Sequence, residues 1–364
     1  MAVANRKALL VGLVGLLLAT AVALRVLSEA DWDATIFVSF GEEAIPTREY
    51  AEERLGDVWL RTVQGHDGKF FFVQAHDPWI LDPEENAMVL DRPLYRSQRM
   101  LYPVLAGLGG VLSTAGVVWG LLVVNLLAMG FGTWAVARLA VEMGGSAWLG
   151  LTFTLNLGLI SEMTISGAGV LSAGLAFLAL LMVLKEQMTP AFTLLALAVL
   201  AREAMLIAAA GSAFWLWRNS KRKDALLAFA IPAVVATVWG MYLRLRIGFP
   251  AEPGQIQEFG WPFQGFVQSF QTWVDDPFNL VVGVSMLLLM ILFTRRTLMS
   301  SHLVGWAFLG FVILGVLFTK QVWNSWFDIS RAIAPVITVY VLLLFTIGRG
   351  TEIRSLLASS RSEL

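Results

Sequence analysis

Apolar residues gather in runs long enough for helices to cross a bilayer, and the polar breaks between them are mostly short. A membrane-crossing helix needs roughly 20 predominantly apolar residues, fewer where the span is short or upright. Runs of this kind cover 8–25, 116–137, 146–161, 165–184, 190–201, 203–217, 225–246, 279–294, 302–319 and 332–348. The pattern predicts an all-α integral membrane protein with about ten transmembrane helices. A further run, 100–113 (MLYPVLAGLGGVLS), is short and contains Pro103, so it suits either a span or a juxtamembrane helix.

The distribution of charge orients these runs, because short cytoplasmic loops collect Lys and Arg. Arg6 and Lys7, the cluster Arg218 to Lys223, Arg295 and Arg296, and the tail Arg349 to Arg361 belong on the cytoplasmic side, with both termini. Segments 26–115 and 247–278 then lie outside; the second has no Lys or Arg but holds Glu252, Glu258, Asp275 and Asp276. The organisation is a first helix at 1–25, an outer loop at 26–115 and central helices at 116–246. A second outer loop at 247–278 and C-terminal helices with a tail at 279–364 complete it. If 100–113 lies in the interface, 190–217 splits at Arg202-Glu203 and every basic loop falls inside; if it spans, 190–217 is one long helix. The first option is preferred. The basic start followed by the run Ala8 to Leu24 could also be a signal peptide, but this topology needs it as an anchor. Within the first outer loop, Ala51, Leu55, Val58, Trp59 and Thr62 recur at helical spacing, which predicts an amphipathic helix lying on the membrane.

Composition agrees. The 364 residues are 57% hydrophobic and 15% charged, where a soluble domain carries roughly 25% charged residues; mean hydropathy is +0.70. There is no cysteine, which excludes disulfides and thiolate chemistry. His66, His76 and His302 leave little for a zinc or haem site, and a net charge of −1 gives no case for nucleic acid. The 14 Trp residues suit helix ends at the lipid–water interface.

Four groups could carry chemistry. Gly65-His66-Asp67-Gly68-Lys69 sets an acidic residue between glycines, so Asp67 projects into a cleft or forms an ordinary Asp-Gly turn. Asp91-Arg92-Pro93-Leu94-Tyr95-Arg96-Ser97-Gln98-Arg99, running on to Tyr102, suits contact with phosphate or sugar, or else a snorkelling membrane anchor. Arg202-Glu203 interrupts an apolar run, where charge costs roughly 2.5–3.5 kcal/mol per residue and usually lines a pathway; Glu162 makes a weaker case of the same kind. Asp328-Ile329-Ser330-Arg331 places a basic residue on the outer side, where it meets phosphate or pairs with Asp328. The preferred topology brings all four groups to the outer face, an arrangement that suits transfer from an anionic, lipid-linked donor. An aspartate would take the proton from an acceptor hydroxyl as it attacks the anomeric carbon, and arginines would stabilise the departing phosphate.

The segments GHDGKFFFVQAHDP and DRPLYRSQRMLYPVLA resemble a pattern of the GT-C superfamily of polytopic membrane glycosyltransferases, in particular bacterial proteins linked to cell-surface glycopolymers. There the stretch reads Tyr-Asp-Gly-Gln-Phe, then Tyr-Arg-x-Gln-Arg-x-Leu-Tyr-Pro; here His66 replaces the tyrosine and Lys69 the glutamine. The resemblance implies a GT-C-like fold whose large first outer loop carries juxtamembrane helices and a catalytic acidic residue, assigned to Asp67 with Asp33 as its rival. It implies that Arg202 meets the lipid phosphate and that Glu162 borders the site. Arg331, Arg96 and Arg99 join Arg202 as candidate phosphate ligands; Glu162, Glu203, His66, Lys69, Tyr95, Gln98 and Tyr102 are candidate substrate contacts. No paired Asp-x-Asp occurs in the outer loop except Asp31-Trp32-Asp33, so the metal requirement stays open. Asp33, Asp67 and Glu162 could share a magnesium or manganese ion through oxygen ligands.

The leading expectation is an inverting glycosyltransferase that moves a sugar from a polyprenyl-phosphate donor to a cell-envelope glycan or lipid. The alternatives are a transporter or flippase of lipid-linked sugars, for which no internal repeat is visible, and a non-catalytic scaffold of the same fold.

Overall fold

The computed structural model describes residues 2–248 and 258–346. Part of the expected second outer loop, including Glu252, and the basic tail Arg349 to Arg361 lie outside the described residues.

The chain opens on α1 (Ala2–Glu29) and then builds a folded segment of short pieces. These are α2 (Ile45–Leu55), α3 (Gly68–His76), α4 (Pro83–Val89), α5 (Pro93–Arg96) and α6 (Leu101–Gly107). Two-residue strands within it, Phe40–Gly41 and Leu60–Arg61, pair in parallel. The bundle continues with α7 (Thr114–Glu142), α8 (Leu151–Thr154), α9 (Leu157–Thr164), α10 (Gly169–Leu184), α11 (Met188–Ala201), α12 (Leu206–Arg218) and α13 (Arg222–Ile247). It ends with α14 (Gln264–Trp273), α15 (Pro277–Ser300), α16 (Leu303–Leu317), α17 (Lys320–Trp323), α18 (Trp326–Ala332) and α19 (Ala334–Thr346). One apolar core joins α1 to α19.

The apolar pattern dictates how these helices sit. α10 is apolar on every side and buried almost throughout, as a helix at the centre of a bundle must be. α1 packs its glycine face on α7, Gly12 against Trp134 and Gly130, and turns Leu9, Leu10, Leu13 and Leu17 outward. Such exposed leucine is unfavourable in water and natural in hydrocarbon. Among the described residues four helices are long and apolar enough to cross a membrane: Asn5–Glu29, Thr114–Glu142, Arg222–Ile247 and Pro277–Ser300. A fifth is added if α18 and α19, bent by 64°, form one broken span. The bend has a plain cause: Pro335 has no N–H, and its ring clashes with the carbonyl one turn earlier.

The expected interruption at Arg202-Glu203 is present and sharp. Arg202 is extended at φ −155 and ψ 117, and a short 3-10 turn over Glu203–Met205 leads into α12. Lys221 Nζ, just beyond α12, lies 2.6 Å from Glu186 Oε1, just before α11. Two helices of this length laid end to end would hold those residues roughly 45 Å apart, so α11 and α12 double back with Arg202 at the corner. The 100–113 run is α6 plus a 3-10 turn to Val111. At about 1.5 Å per residue it is too short to cross a bilayer alone.

The amphipathic helix expected to reach Thr62 ends at Leu55. Gly56 takes φ +80 and stops it, and Leu60–Arg61 then joins the strand pair. The buried face of α2 packs Tyr50 edge-on against Phe72 and His76 of α3. That face is therefore occupied by protein.

α9 and α18 touch where no side chain fits, since a Cβ on Gly158 would stand 2.0 Å from the Ser330 carbonyl oxygen. Gly158→Val should therefore lower the thermal unfolding midpoint of the detergent-purified protein, at a cost of about 1–3 kcal/mol for overpacking. An unchanged midpoint would refute this helix contact.

Candidate functional site

The segments that bracket Asp67 set its position. Gly65 takes φ +65, and a Cβ on Gly68 would strike the carbonyl oxygens of Val38 and Ile165, so the chain is pressed against its neighbours on both sides of the aspartate. Asp67 thereby stands at the N-terminus of α3 facing three guanidiniums. Arg96 Nη1 donates to its Oδ1 at 3.0 Å, and Arg331 Nη2 and Arg99 Nη1 lie 3.4 and 3.6 Å from its Oδ2. Each of these arginines has a second anchor. Arg96 donates through Nε and Nη2 to both oxygens of Asp91, each at 2.8 Å, and stacks 3.9 Å above Phe70. Arg99 donates to both oxygens of Glu203 at 2.9 Å and to the Tyr95 hydroxyl at 3.0 Å. Such two-pronged pairs fix a guanidinium in plane as well as in place.

Below them lies Glu162, only 3% exposed, whose Oε1 accepts from Arg202 at 3.1 Å and from Arg331 at 3.2 Å. Its other oxygen accepts from the Gly169 N–H at 3.2 Å. Cβ atoms on Gly167 or Gly169 would collide with this carboxyl, so two glycines provide its cradle. A carboxylate buried among apolar helices is tolerated when paired and hydrogen-bonded in this way.

Asp67 and the arginines around it line a cleft of about 590 Å³ with Leu314, Phe318 and Val322 on its apolar wall. His66, Lys69, Tyr95, Arg96, Arg99, Arg202, Glu203 and Arg331 all reach it with Asp67. Four expected residues do not. Asp33 caps a 3-10 turn, its Oδ1 accepting from the Thr35 N–H and hydroxyl at 2.9 and 2.8 Å. Tyr102 is fully buried, donating to the Leu121 carbonyl at 2.8 Å and accepting from Asn125 at 2.9 Å, a strut between α6 and α7. Gln98 lines a neighbouring groove of about 440 Å³ between the α11–α12 corner and α13. Glu162 orients arginines from behind the cleft wall. Asp33, Asp67 and Glu162 accordingly do not gather as a shared ligand set, and among the described residues no group of three His, Asp or Glu is placed to hold a metal ion.

Two acidic residues matter more than the sequence suggested. Asp91 grips Arg96, a link its position five residues earlier in the same segment could have signalled. Asp328 lines the cleft and meets Arg331 at 3.4 Å, at an i,i+3 spacing visible in the sequence. Phe318 and Val322 carry no local signal of their place on the wall.

Electrostatics follow from this packing. Burial alone would raise the Asp67 carboxyl, but Arg96, Arg331, Arg99 and Arg202 outweigh it and hold the group well below the usual carboxylate range. Burial pushes the Lys69 amine down to about 8. Burial, aided by the cations Arg331 and Arg61, brings the His66 imidazole down to about 4. Comparison with protein-family models, with curated proteins and with solved structures finds no match for this chain. The site is therefore read from its own geometry.

His66 packs its ring 5.0 Å from Phe327 and is uncharged at neutral pH. The unfolded chain takes up this proton near the ordinary histidine pKa of about 6.5 and the folded chain only near 4. Between those values the unfolded state binds more protons, so the His66 contribution is present above about pH 6.5 and is lost as pH falls towards 4. His66→Phe should flatten the fall of the unfolding midpoint across that window. An unchanged slope would assign the pH dependence to other groups.

Proposed function

We propose that this chain is a multi-pass membrane glycosyltransferase that moves a sugar, with inversion, from a polyprenyl-phosphate donor to a cell-envelope glycan or lipid. The observation that carries this reading is the convergence of Arg96, Arg99, Arg202 and Arg331 on one cleft that also has an apolar wall. A lipid phosphate offers the matching chemistry: an anion to be held by guanidiniums, joined to a chain that prefers apolar surroundings.

The proposed topology has about ten spans, counting α8 with α9 and α18 with α19 as broken ones, with both termini cytoplasmic. The cleft opens on the outer face. Three things support it: the doubling back at Arg202, the basic residues at the opposite turn near Glu186 and Lys221, and the acidic character of segment 258–276.

In the reaction, the arginines hold the phosphate and stabilise the charge it gains on leaving, as preorganised donors do at a developing anion. The acceptor oxygen attacks the anomeric carbon, and an aspartate of the cleft receives its proton. A lipid phosphate leaves readily and needs little acid assistance.

Purified protein should transfer sugar from synthetic polyprenyl-phosphate donors, and Arg96→Ala or Arg331→Ala should lower kcat/KM by about 10²–10³, the usual effect of removing one preorganised donor. Tight donor binding without turnover, across several sugars and acceptors, would turn the reading to a transporter or scaffold. The absence of cysteine makes the topology separately testable. Cysteine at the exposed Thr62 should react with a membrane-impermeant maleimide in intact cells, and cysteine at the exposed Asn219 only after lysis. Labelling of both from one side would overturn the span arrangement.

A further inference from the structure

Asp67 has the right position for a proton acceptor and the wrong surroundings. Three guanidiniums share its two oxygens, so a proton arriving there would displace three ion pairs. The same guanidiniums are the natural ligands of a donor phosphate. Asp67 is therefore fitted to keep them in place until the donor arrives.

Asp328 stands differently. It projects into the same cleft from α18, one turn before Arg331. Among the described residues its carboxyl meets a single guanidinium nitrogen, at 3.4 Å from Oδ1, and its side chain is 40% exposed against 29% for Asp67. Arg331 divides its charge among Glu162, Asp67 and Asp328, so its hold on each is partial. Beside Asp328 the Phe327 ring packs against His66, with centroids 5.0 Å apart and planes tilted by 38°, so α18 is seated against the Asp67 segment at this point.

We propose that Asp328 is the proton acceptor for sugar transfer in this cleft, with Asp67 acting as the carboxylate that positions the phosphate-binding arginines. This assignment rests on the glycosyltransferase reading. In the step, a lone pair of the acceptor hydroxyl forms the bond to the anomeric carbon. The bond from that carbon to the phosphate oxygen breaks and its electron pair leaves with the lipid phosphate, while the hydroxyl proton passes to the Asp328 carboxylate and on to water. No oxidant, reductant or further co-reactant is required.

The test uses full-length protein and synthetic polyprenyl-phosphate sugars, with turnover and donor binding measured separately. Asp328→Asn should keep donor affinity and the thermal unfolding midpoint close to wild type while lowering kcat by about 10²–10⁴, the range for losing a positioned general base. Asp67→Asn should instead act mainly on donor affinity. Asp328→Glu should recover part of kcat and move the acidic limb of its pH profile. Arg331 on the same helix, and Asp67, Glu162 and His66 from other elements, also face this region; they are unchanged in that variant, so a moved limb reports the residue at 328. Wild-type turnover with unimpaired kcat in Asp328→Asn would overturn this assignment alone. So would a kcat loss confined to Asp67→Asn, which would return the proton to Asp67. Absence of turnover in the wild type would overturn the glycosyltransferase reading, and this assignment with it.

Discussion

Glu162 sits 3% exposed in a helical bundle, where a bare carboxylate costs several kcal/mol and is retained only when opposite charge and hydrogen bonds surround it. Arg202 and Arg331 supply that charge from helices far apart in the chain, and the bare backbone of Gly167 and Gly169 makes room. One carboxylate thus ties α9 to the α11–α12 corner and to the bent end of α18. From Arg331 the pairing passes to Asp67, from Asp67 to Arg99, and from Arg99 to Glu203, which adjoins Arg202. The ion pairs run without a gap from Arg202 through Glu162, Arg331, Asp67 and Arg99 to Glu203, and the peptide bond between Arg202 and Glu203 closes them into a ring.

Such a ring explains why the surrounding fold is so irregular. α9 starts at Asn156, whose side chain takes up the N–H groups of Gly158 and Leu159 and donates to the Ala334 carbonyl. α12 departs from the extended Arg202, and α18 breaks before Pro335. The breaks at Arg202 and before Pro335 fall within about a turn of a ring member, and each interruption frees backbone groups that a continuous helix would satisfy internally. In hydrocarbon that is tolerated only where the backbone is covered by protein or lines a cavity. The breaks at Arg202 and after Arg331 line the cleft, where their freed backbone groups are covered.

Much of this was legible in the sequence, and the limits are physical. The charged pair Arg202-Glu203 in an apolar run, the acidic residue between Gly65 and Gly68, and the arginines around Tyr95 each violate the local rule for their segment. A violated rule can be read without knowing the neighbours. The errors have the opposite character. Ala51, Leu55, Val58, Trp59 and Thr62 keep helical spacing, yet Gly56 and the pairing of Leu60–Arg61 with Phe40–Gly41 override it. Tyr102 and Gln98 sit in the arginine-rich segment, but one serves Asn125 and the other faces a different groove. Asp33 is one of several acidic residues after α1, and only the turn at Thr35 shows it to be a cap. Identity and spacing report what a residue can do; which partner it meets depends on what the fold brings beside it, from Thr35 two positions from Asp33 to Arg331 264 positions from Asp67.

Asp67 and Asp328 share Arg331, and that sharing separates their roles on the proposed reading. Two carboxylates beside one cation compete for its stabilisation, and the one with additional cations becomes the weaker base. Among the described residues Asp67 has Arg96 and Arg99 besides Arg331, while Asp328 has Arg331 alone. A donor phosphate entering between the arginines would draw on the cations of Asp67 first, because three of its ligands are the phosphate's best partners. Any shift of Arg331 towards the phosphate would also loosen its 3.4 Å contact with Asp328 and leave that carboxylate more basic at the moment an acceptor hydroxyl needs it. Binding of the anion and readiness to take a proton are then coupled through a single guanidinium.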